Sequence, residues 1–217
     1  MKRQILIITA VEAEKEAVLR GVRGDSRFDV RAGGVGPAAA AVSAATALAT
    51  VAGEYGLVAS AGIGGGFAGV APVGSLVVAS ESIAADLGAE TPEGFADVDK
   101  LGFGSNRLAA DAERSRALAE ALRARGLNAA LGPILTLSTA TGTAETAASL
   151  AARYPGAAAE AMEGYGVAEA AYRAGVPFLE IRAVSNAVGP RDRAAWRIGD
   201  ALAALEAAGT SLLEVID

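Results

Sequence analysis

Two short segments in the last third of the chain carry polar side chains at the ends of apolar runs. In residues 161–164, Glu163 follows Met162 and precedes a stretch with helical character. Its carboxylate can accept hydrogen bonds from two neighbouring hydroxyl groups and favour positive charge that develops close by. In residues 182–186, Asn186 ends an apolar run, and its amide offers a donor and an acceptor side by side. The two segments therefore have the chemistry to bind a hydroxylated ring and a polar heterocycle.

A third segment, near the start of the chain, carries two more carboxylates. Glu12 and Glu14 follow the apolar run at residues 4–10. A carboxylate at such a position can activate water for attack on a bond that breaks through a cationic state. Each of these polar residues also has a structural interpretation. Acids are favoured in the first turn of a helix, and asparagine is common in turns.

The composition narrows the chemistry that is possible. The 217 residues include no cysteine and no histidine, which removes disulfides, thiolate sites and the commonest general base. Catalysis must then use carboxylates, hydroxyls, amides or backbone groups, and we expect neither a metal nor an organic cofactor. The net charge of −6 opposes binding to nucleic acid. Because no apolar run approaches the ~20 residues that span a bilayer, we expect a cytoplasmic protein with no membrane contact.

The order of apolar and amphipathic segments predicts the elements that position these residues. Short apolar runs alternate with longer, alanine-rich stretches, which is typical of a single α/β domain over residues 1–217 with a mostly parallel central mixed sheet flanked by helices. The predicted strands are 4–10, 28–32, 57–61, 75–80, 134–138, 157–162 and 178–185. The predicted helices are 12–20, 37–52, 107–125, 143–152, 164–174 and 193–215, with Pro37 at a first helical position.

Glycine-rich segments offer a second interpretation. Residues 33–36 and 62–69 lie where a dinucleotide-binding loop would be expected, but neither has the full fingerprint. We therefore interpret them as tight turns at the edge of the sheet. Residues 84–106 combine several glycines with acids and are predicted to form a long ordered loop.

From end to end, the chain resembles the nucleoside phosphorylase and nucleosidase family, which includes the methylthioadenosine/S-adenosylhomocysteine nucleosidases. The resemblance rests on the segment with Met162 and Glu163, on the segment with Ser185 and Asn186, and on a glutamate after the first strand. It implies a nucleoside phosphorylase-like fold, a purine nucleoside as the substrate and a homo-oligomer of two or more subunits. It also implies catalytic roles for Glu14 and Asn186 and substrate binding by a wider set of residues: Ser60, Ala140, Thr141, Gly142, Met162 and Glu163.

Asn186 departs from the adenine-specific members of the family, in which an aspartate donates a proton to the base. An amide cannot act as that acid, but its donor and acceptor complement the oxygen and the protonated five-membered ring of a departing 6-oxopurine. Asn186 therefore predicts a hypoxanthine-type base rather than adenine. The acidic segment around Glu14 would repel phosphate, which favours water as the nucleophile.

A narrower resemblance comes from residues 101–104 and 185–196. These segments resemble the futalosine hydrolase branch, which implies hypoxanthine release in menaquinone biosynthesis from a nucleoside with a carboxylate-bearing tail. Possible contacts to the base or tail are Phe103, Arg182, Arg191 and Trp196, with Arg193 a further candidate for the tail. The alternatives are an adenine-releasing nucleosidase, a purine nucleoside phosphorylase and a nucleotide-binding module without catalysis.

Overall fold

A computed structural model describes residues 4–51 and 53–216 of the chain. The strands are β1 (Gln4–Thr9), β2 (Phe28–Ala32), β3 (Tyr55–Gly66), β4 (Leu76–Ala84), β5 (Gly88–Thr91), β6 (Gly94–Asp97), β7 (Arg107–Ala109), β8 (Ala129–Thr136), β9 (Ala159–Ala161) and β10 (Phe178–Ala187). The helices are α1 (Glu12–Gly21), α2 (Pro37–Thr50), α3 (Val98–Leu101), α4 (Ala112–Ala124), α5 (Ala144–Arg153), α6 (Gly164–Ala174) and α7 (Ile198–Val215). Within the described ranges, no helix combines the length and the apolar character needed to cross a membrane.

The central sheet is mixed and folds back on itself. Its strand order is β10-β4-β8-β9-β3-β1-β2, with β7 beside β4. Because β10 also pairs with β3, the strands β3, β10, β4, β8 and β9 form a closed ring. Parallel pairing joins β3 to β1 and β10, whereas β9 runs antiparallel to β3. This closure brings the ends of β1, β3, β9 and β10 to one region.

Helices cover both faces of the sheet with apolar side chains. On one face, α1 and α7 pack against β1, β3 and β10, and α4 packs against β4 and β8, through residues such as Val18, Leu118 and Leu205. On the other face, α2 and α6 meet through alanines such as Ala44 and Ala171. Alanine keeps the helices close to the sheet, and the pattern agrees with the alanine-rich stretches of the sequence.

The predicted architecture is confirmed, and several boundaries are corrected. The strand at 28–32 and the helix at 164–174 have the predicted bounds, and Pro37 begins α2 as expected. The predicted helix 107–125 begins instead with strand β7, and the predicted helix 193–215 divides into a 3-10 turn, Arg193–Ala195, and α7. The segment 84–106 is not a plain loop, because it contains the β5-β6 hairpin and α3.

The interpretation of residues 62–66 as a tight turn was wrong. They continue β3 as extended strand and pair with β10 and β9. Their neighbours explain why they are glycines. A Cβ on Gly62 would lie 2.8 Å from both Arg182 Nη1 and Glu14 Oε1, and one on Gly65 would lie 3.3 Å from Asn186 Nδ2. Because these residues of β3 have no side chains, polar side chains of adjacent elements can extend over this part of the strand.

Candidate active site

A cavity of about 330 Å³ lies where β1, β3, β9 and β10 end. Ligand sites of α/β proteins form at this edge because loops and helix N-termini converge there. The cavity collects most of the residues that the sequence singled out. Those that line it are Glu14, Ala140, Thr141, Met162, Glu163, Asn186, Arg191 and Trp196.

Glu14 is held by three backbone N–H groups. Its Oε2 accepts from Ala10 N at 2.8 Å and Val11 N at 3.3 Å, and its Oε1 accepts from Ile63 N at 2.9 Å. The side chain is buried, whereas Glu12 is exposed and pairs with Lys15. Glu14 therefore caps the first turn of α1 and also lines the cavity. One acceptor position on Oε1 is not used by these bonds.

Arg182 organises the polar interior beneath the cavity. It is fully buried, and its guanidinium donates to Glu180 Oε1 at 3.0 Å, Glu163 Oε2 at 3.1 Å and Ser60 Oγ at 2.7 Å. Glu163 also accepts from Gly36 N at 3.2 Å. Ser60 and Arg182 therefore do not line the cavity. They lie beneath it, where Arg182 bonds to both Ser60 and Glu163.

The charges of this cluster depend on one another. Burial by itself would lower the pKa of Arg182, but the carboxylates of Glu180, Glu163 and Glu14 raise it above its ordinary value. Burial raises the pKa of Glu180, against the lowering effect of the Arg182 charge. The guanidinium therefore remains charged and compensates the carboxylates that surround it.

The amide of Asn186 is oriented by its neighbours. The Ser185 hydroxyl lies 2.8 Å from Asn186 Oδ1, and Asn186 Nδ2 donates to Ala187 O at 3.0 Å. Oδ1 keeps a second acceptor position and Nδ2 keeps a second hydrogen, because an amide offers two of each. A ligand with an acceptor beside a donor can use both.

A further carboxylate lines the cavity without having been predicted as a site residue. Glu160, on β9, accepts from Thr141 N at 2.7 Å and from the Thr141 hydroxyl, and only 7% of its surface is exposed. Burial raises the pKa of Glu160, although the hydrogen bonds from Thr141 lower it. The sequence held a signal for it, since an acid within the short apolar run 157–162 must have a reason to be buried.

The remaining predicted residues divide among three places. Arg191 and Trp196 lie at the cavity, with the guanidinium carbon 5.1 Å from the indole ring centre. Gly142 lies just outside, where its carbonyl accepts from Arg191 N at 3.1 Å. Phe103 is 81% exposed and lines a separate cavity of about 940 Å³ beside α6. It is therefore not positioned to stack on a base bound near Asn186 in the same subunit.

The ionisable side chains that line the cavity are mostly carboxylates. In the ranges 4–51 and 53–216, no group of three or more acidic residues is arranged to hold a metal ion. The cavity has three glutamates, Glu14, Glu160 and Glu163, against one arginine, Arg191. This balance favours hydroxyl groups, water and developing positive charge over a phosphate dianion.

Known proteins resemble this chain over most of its length. Residues 11–217 match the model of the phosphorylase superfamily. The futalosine hydrolase of Streptomyces coelicolor is 54% identical, over 98% of this chain and 96% of that protein. The futalosine hydrolase of Acidothermus cellulolyticus is 48% identical, over 95% of this chain and 89% of that protein. The crystal structure of the 5'-methylthioadenosine/S-adenosylhomocysteine nucleosidase of Neisseria meningitidis in complex with methylthio-immucillin-A has the same fold, with a TM-score of 0.83 and 21% identity over 98% of this chain and 99% of that one.

Proposed function

Because the chain belongs to the phosphorylase superfamily, we propose that it hydrolyses the N-ribosidic bond of futalosine. The products are hypoxanthine and dehypoxanthine futalosine, and we assign the reaction to menaquinone biosynthesis. The observation that carries the proposal is the single cavity in which Glu14, Glu163 and Asn186 meet. The relatives at 54% and 48% identity supply the identity of the substrate.

Glu14 activates the attacking water in this proposal. Three backbone donors fix its carboxylate, and the unused acceptor position on Oε1 is available to a water proton. The ribose bond breaks through an oxocarbenium-like state, so the water needs only modest activation by a carboxylate.

Glu163 holds the ribose. Its Oε1 and Oε2 are anchored by Gly36 N and by Arg182 Nη1, which fixes the carboxylate while leaving acceptor positions for the sugar hydroxyls. A fixed negative charge beside the ribose stabilises the positive charge that develops on the ring in the transition state. Met162, the preceding residue, also lines the cavity and gives it an apolar surface for the sugar.

Asn186 stabilises the departing base. Its free amide hydrogen donates to the oxygen at position 6, and its Oδ1 accepts from the protonated five-membered ring. Adenine would set an amine against the amide donor, which leaves like groups facing each other in a buried site. The backbone at Ala140 and Thr141 borders the same cavity and would also contact the base.

Water is a better-supported nucleophile than phosphate. A phosphate dianion would enter a cavity with three glutamates and a single arginine, and Arg191 lies at the exposed side of the cavity. Phosphorolysis commonly needs guanidinium groups that match the oxyanion in a bidentate geometry. The described cavity has no such cluster.

Arg191 is our choice to bind the carboxylate of the substrate's tail. It is exposed, lies against Trp196 and lines the cavity, whereas Arg182 is already engaged with two carboxylates. A planar guanidinium beside an indole suits a tail that ends in a carboxylated aromatic ring.

We also propose that the chain forms a homo-oligomer. Phe103 is 81% exposed and Tyr172 is 69% exposed, and both line the second cavity of about 940 Å³. Large exposed aromatic side chains in one cavity are typical of a protein–protein interface. Sedimentation velocity measures the subunit number, and a monomer at micromolar concentration would contradict this part of the proposal.

The decisive assay is incubation of the purified protein with futalosine, inosine and methylthioadenosine, each with and without phosphate. Chromatography identifies the released base and sugar. We expect hypoxanthine from futalosine without phosphate. Adenine as the preferred product would indicate the adenine-releasing nucleosidase, and strict dependence on phosphate would indicate the phosphorylase. Binding without turnover of any of the three would indicate a nucleotide-binding module.

A further inference from the structure

Glu180, on β10, is a fully buried carboxylate for which the proposed mechanism has no role. It does not line the cavity, and its Oε1 accepts from Arg182 Nε at 3.0 Å. Its other oxygen, Oε2, has no hydrogen-bond partner within residues 4–51 and 53–216. Replacement of a buried ion pair by apolar side chains is often neutral or stabilising. A role in folding alone therefore does not account for an incompletely bonded carboxylate at this depth.

The fold makes room for this carboxylate at the N-terminal end of α6. A Cβ on Gly164, the first residue of α6, would lie 2.1 Å from Glu180 Oε1 and 2.3 Å from Oε2, so a side chain there would clash with the carboxylate. The positive end of the helix dipole favours the ionised form of an acid in this place. Burial raises the pKa of Glu180, but the charge of Arg182 lowers it and acts in the same direction as the helix. Glu180 and Arg182 therefore form an ion pair.

The two cavity carboxylates of the proposed mechanism have donors besides Arg182. Glu14 accepts from three backbone N–H groups. Glu163 accepts from Gly36 N, directly before α2, as well as from Arg182. The single guanidinium is therefore shared between Glu163, which lines the cavity, and Glu180, which does not.

The charge of Arg182 would weaken the site if it were not compensated. Its Nη1 lies 3.1 Å from Glu163 Oε2, so a lone guanidinium would offset the negative charge that Glu163 presents to the ribose. Because the ribose becomes positively charged as the N-ribosidic bond breaks, this offset would matter more in the transition state than in the bound substrate. A carboxylate on the Nε side of the guanidinium opposes the offset and leaves the bond to Glu163 in place.

We propose that Glu180 neutralises Arg182 and thereby leaves the negative charge of Glu163 available to the cationic transition state. This inference rests on the proposed function and adds a positioning residue, which acts through Arg182 and does not touch the substrate. The guanidinium then fixes the Glu163 carboxylate by a hydrogen bond while it cancels little of its charge. The chain of contacts runs from Glu180 through Arg182 to Glu163.

Glu180→Gln is the first test, because glutamine keeps an oxygen acceptor for Arg182 Nε but carries no charge. We expect kcat for futalosine to fall by about tenfold or more and KM to change by less than about threefold, since the positive charge on the ribose exists only in the transition state. Circular dichroism checks that the variant is folded. An unchanged kcat, or a change confined to KM, would overturn the inference.

Ligand binding separates the effect of charge from that of structure. 9-Deazainosine is a C-nucleoside that cannot be hydrolysed, and its imino analogue carries a protonated nitrogen in place of the ring oxygen. In calorimetry, Glu180→Gln should lose about tenfold or more in affinity for the imino analogue and less than about threefold for 9-deazainosine. A merely structural role of Glu180 would weaken both ligands equally, and that result would refute the proposal.

Two further variants control for size and for charge. Glu180→Asp keeps the charge but shortens the side chain, so it should retain the preference for the imino analogue even where kcat falls. Loss of this preference in folded Glu180→Asp would contradict the inference, and this measurement decides if the glutamine variant does not fold. Glu206→Gln makes the same chemical change in the exposed pair with Arg20 and should leave both affinities unchanged.

The two proposals fail in different ways. If futalosine is not hydrolysed but Glu180→Gln loses affinity for the imino analogue alone, the proposed substrate is refuted and the role of Glu180 is supported. If futalosine is hydrolysed and both ligands respond equally to Glu180→Gln, the proposed function is supported and the role of Glu180 is refuted.

Discussion

Replacement of Arg182 by methionine tests how the buried charge cluster supports the site. The guanidinium is fully buried and makes three hydrogen bonds, two to the carboxylates of Glu180 and Glu163 and one to Ser60. Methionine fills much of the volume but leaves both carboxylates without their cation. Breaking a buried ion pair from one side costs about 3–5 kcal/mol.

This cost is a large part of the stability of an ordinary domain, which is about 5–15 kcal/mol. With a urea dependence of about 2 kcal/mol per molar, Arg182→Met should lower the unfolding midpoint by about 2 M. Circular dichroism in urea measures the shift. Hypoxanthine release should fall at least tenfold in the folded variant, because Glu163 loses one of its anchors.

A second variant separates the two effects. Glu180→Gln added to Arg182→Met removes the fully buried unpaired charge, so it should recover about half of the lost stability or more. Activity should stay low, since Glu163 is still without its guanidinium. Arg173→Met removes an arginine from the exposed pair with Glu169 and should leave the midpoint unchanged. A loss of less than about 1 kcal/mol in Arg182→Met, or no recovery in the double variant, would refute the reasoning.

Three further predictions follow from individual contacts. Glu14→Gln should lower kcat by about 10²- to 10⁴-fold with little change in KM, as expected for loss of a general base, and near-normal turnover in a coupled assay would exclude Glu14 from the mechanism. Gly62→Ala would bring a methyl group to 2.8 Å from both Arg182 Nη1 and Glu14 Oε1, so kcat/KM should fall at least tenfold. The control is Gly199→Ala, which should leave kcat/KM unchanged because no neighbouring atom lies within 4 Å of the added methyl group. Burial raises the pKa of Glu160 in the folded protein above its value in the unfolded chain. The ionised carboxylate therefore destabilises the folded state, and this effect grows as the pH rises from the unfolded pKa through the folded one. Glu160→Gln should therefore raise Tm at neutral pH, and the gain should vanish below the unfolded pKa; a gain that is equal at acidic and neutral pH would contradict a titrating origin.

The architecture could be predicted from the sequence because its signals are local. Alternation of apolar runs with alanine-rich stretches indicated the α/β order, and Pro37 marked the start of α2. Motif residues that end strands, such as Glu163 and Asn186, could be assigned to one edge of the sheet, and the cavity brings them together. The placement of a residue beside its own strand end follows from chain order alone.

What could not be predicted depends on pairing between distant strands. The extension of β3 through Gly66 depends on its partners β9 and β10, since isolated glycines favour turns over strands. The position of Arg182 beneath the cavity follows from the side chains packed around it and not from its own segment. The acid within the run 157–162 is visible in the sequence, but the placement of Glu160 across β3 from Asn186 leaves no trace in sequence spacing.

The glycine-rich end of β3 has a consequence for how this protein can change. Gly65 contributes only backbone beside Asn186, the side chain that we assign to the base, so β3 acts as a neutral spacer between β9 and β10. Under the proposed function, substitutions at residue 186 would alter which base is bound without any compensating change in β3. In the proposed mechanism, base preference can therefore diverge through one position on β10 while the residues that we assign to water and ribose stay the same, and a small library at this codon is the natural route to a nucleosidase with a different base preference.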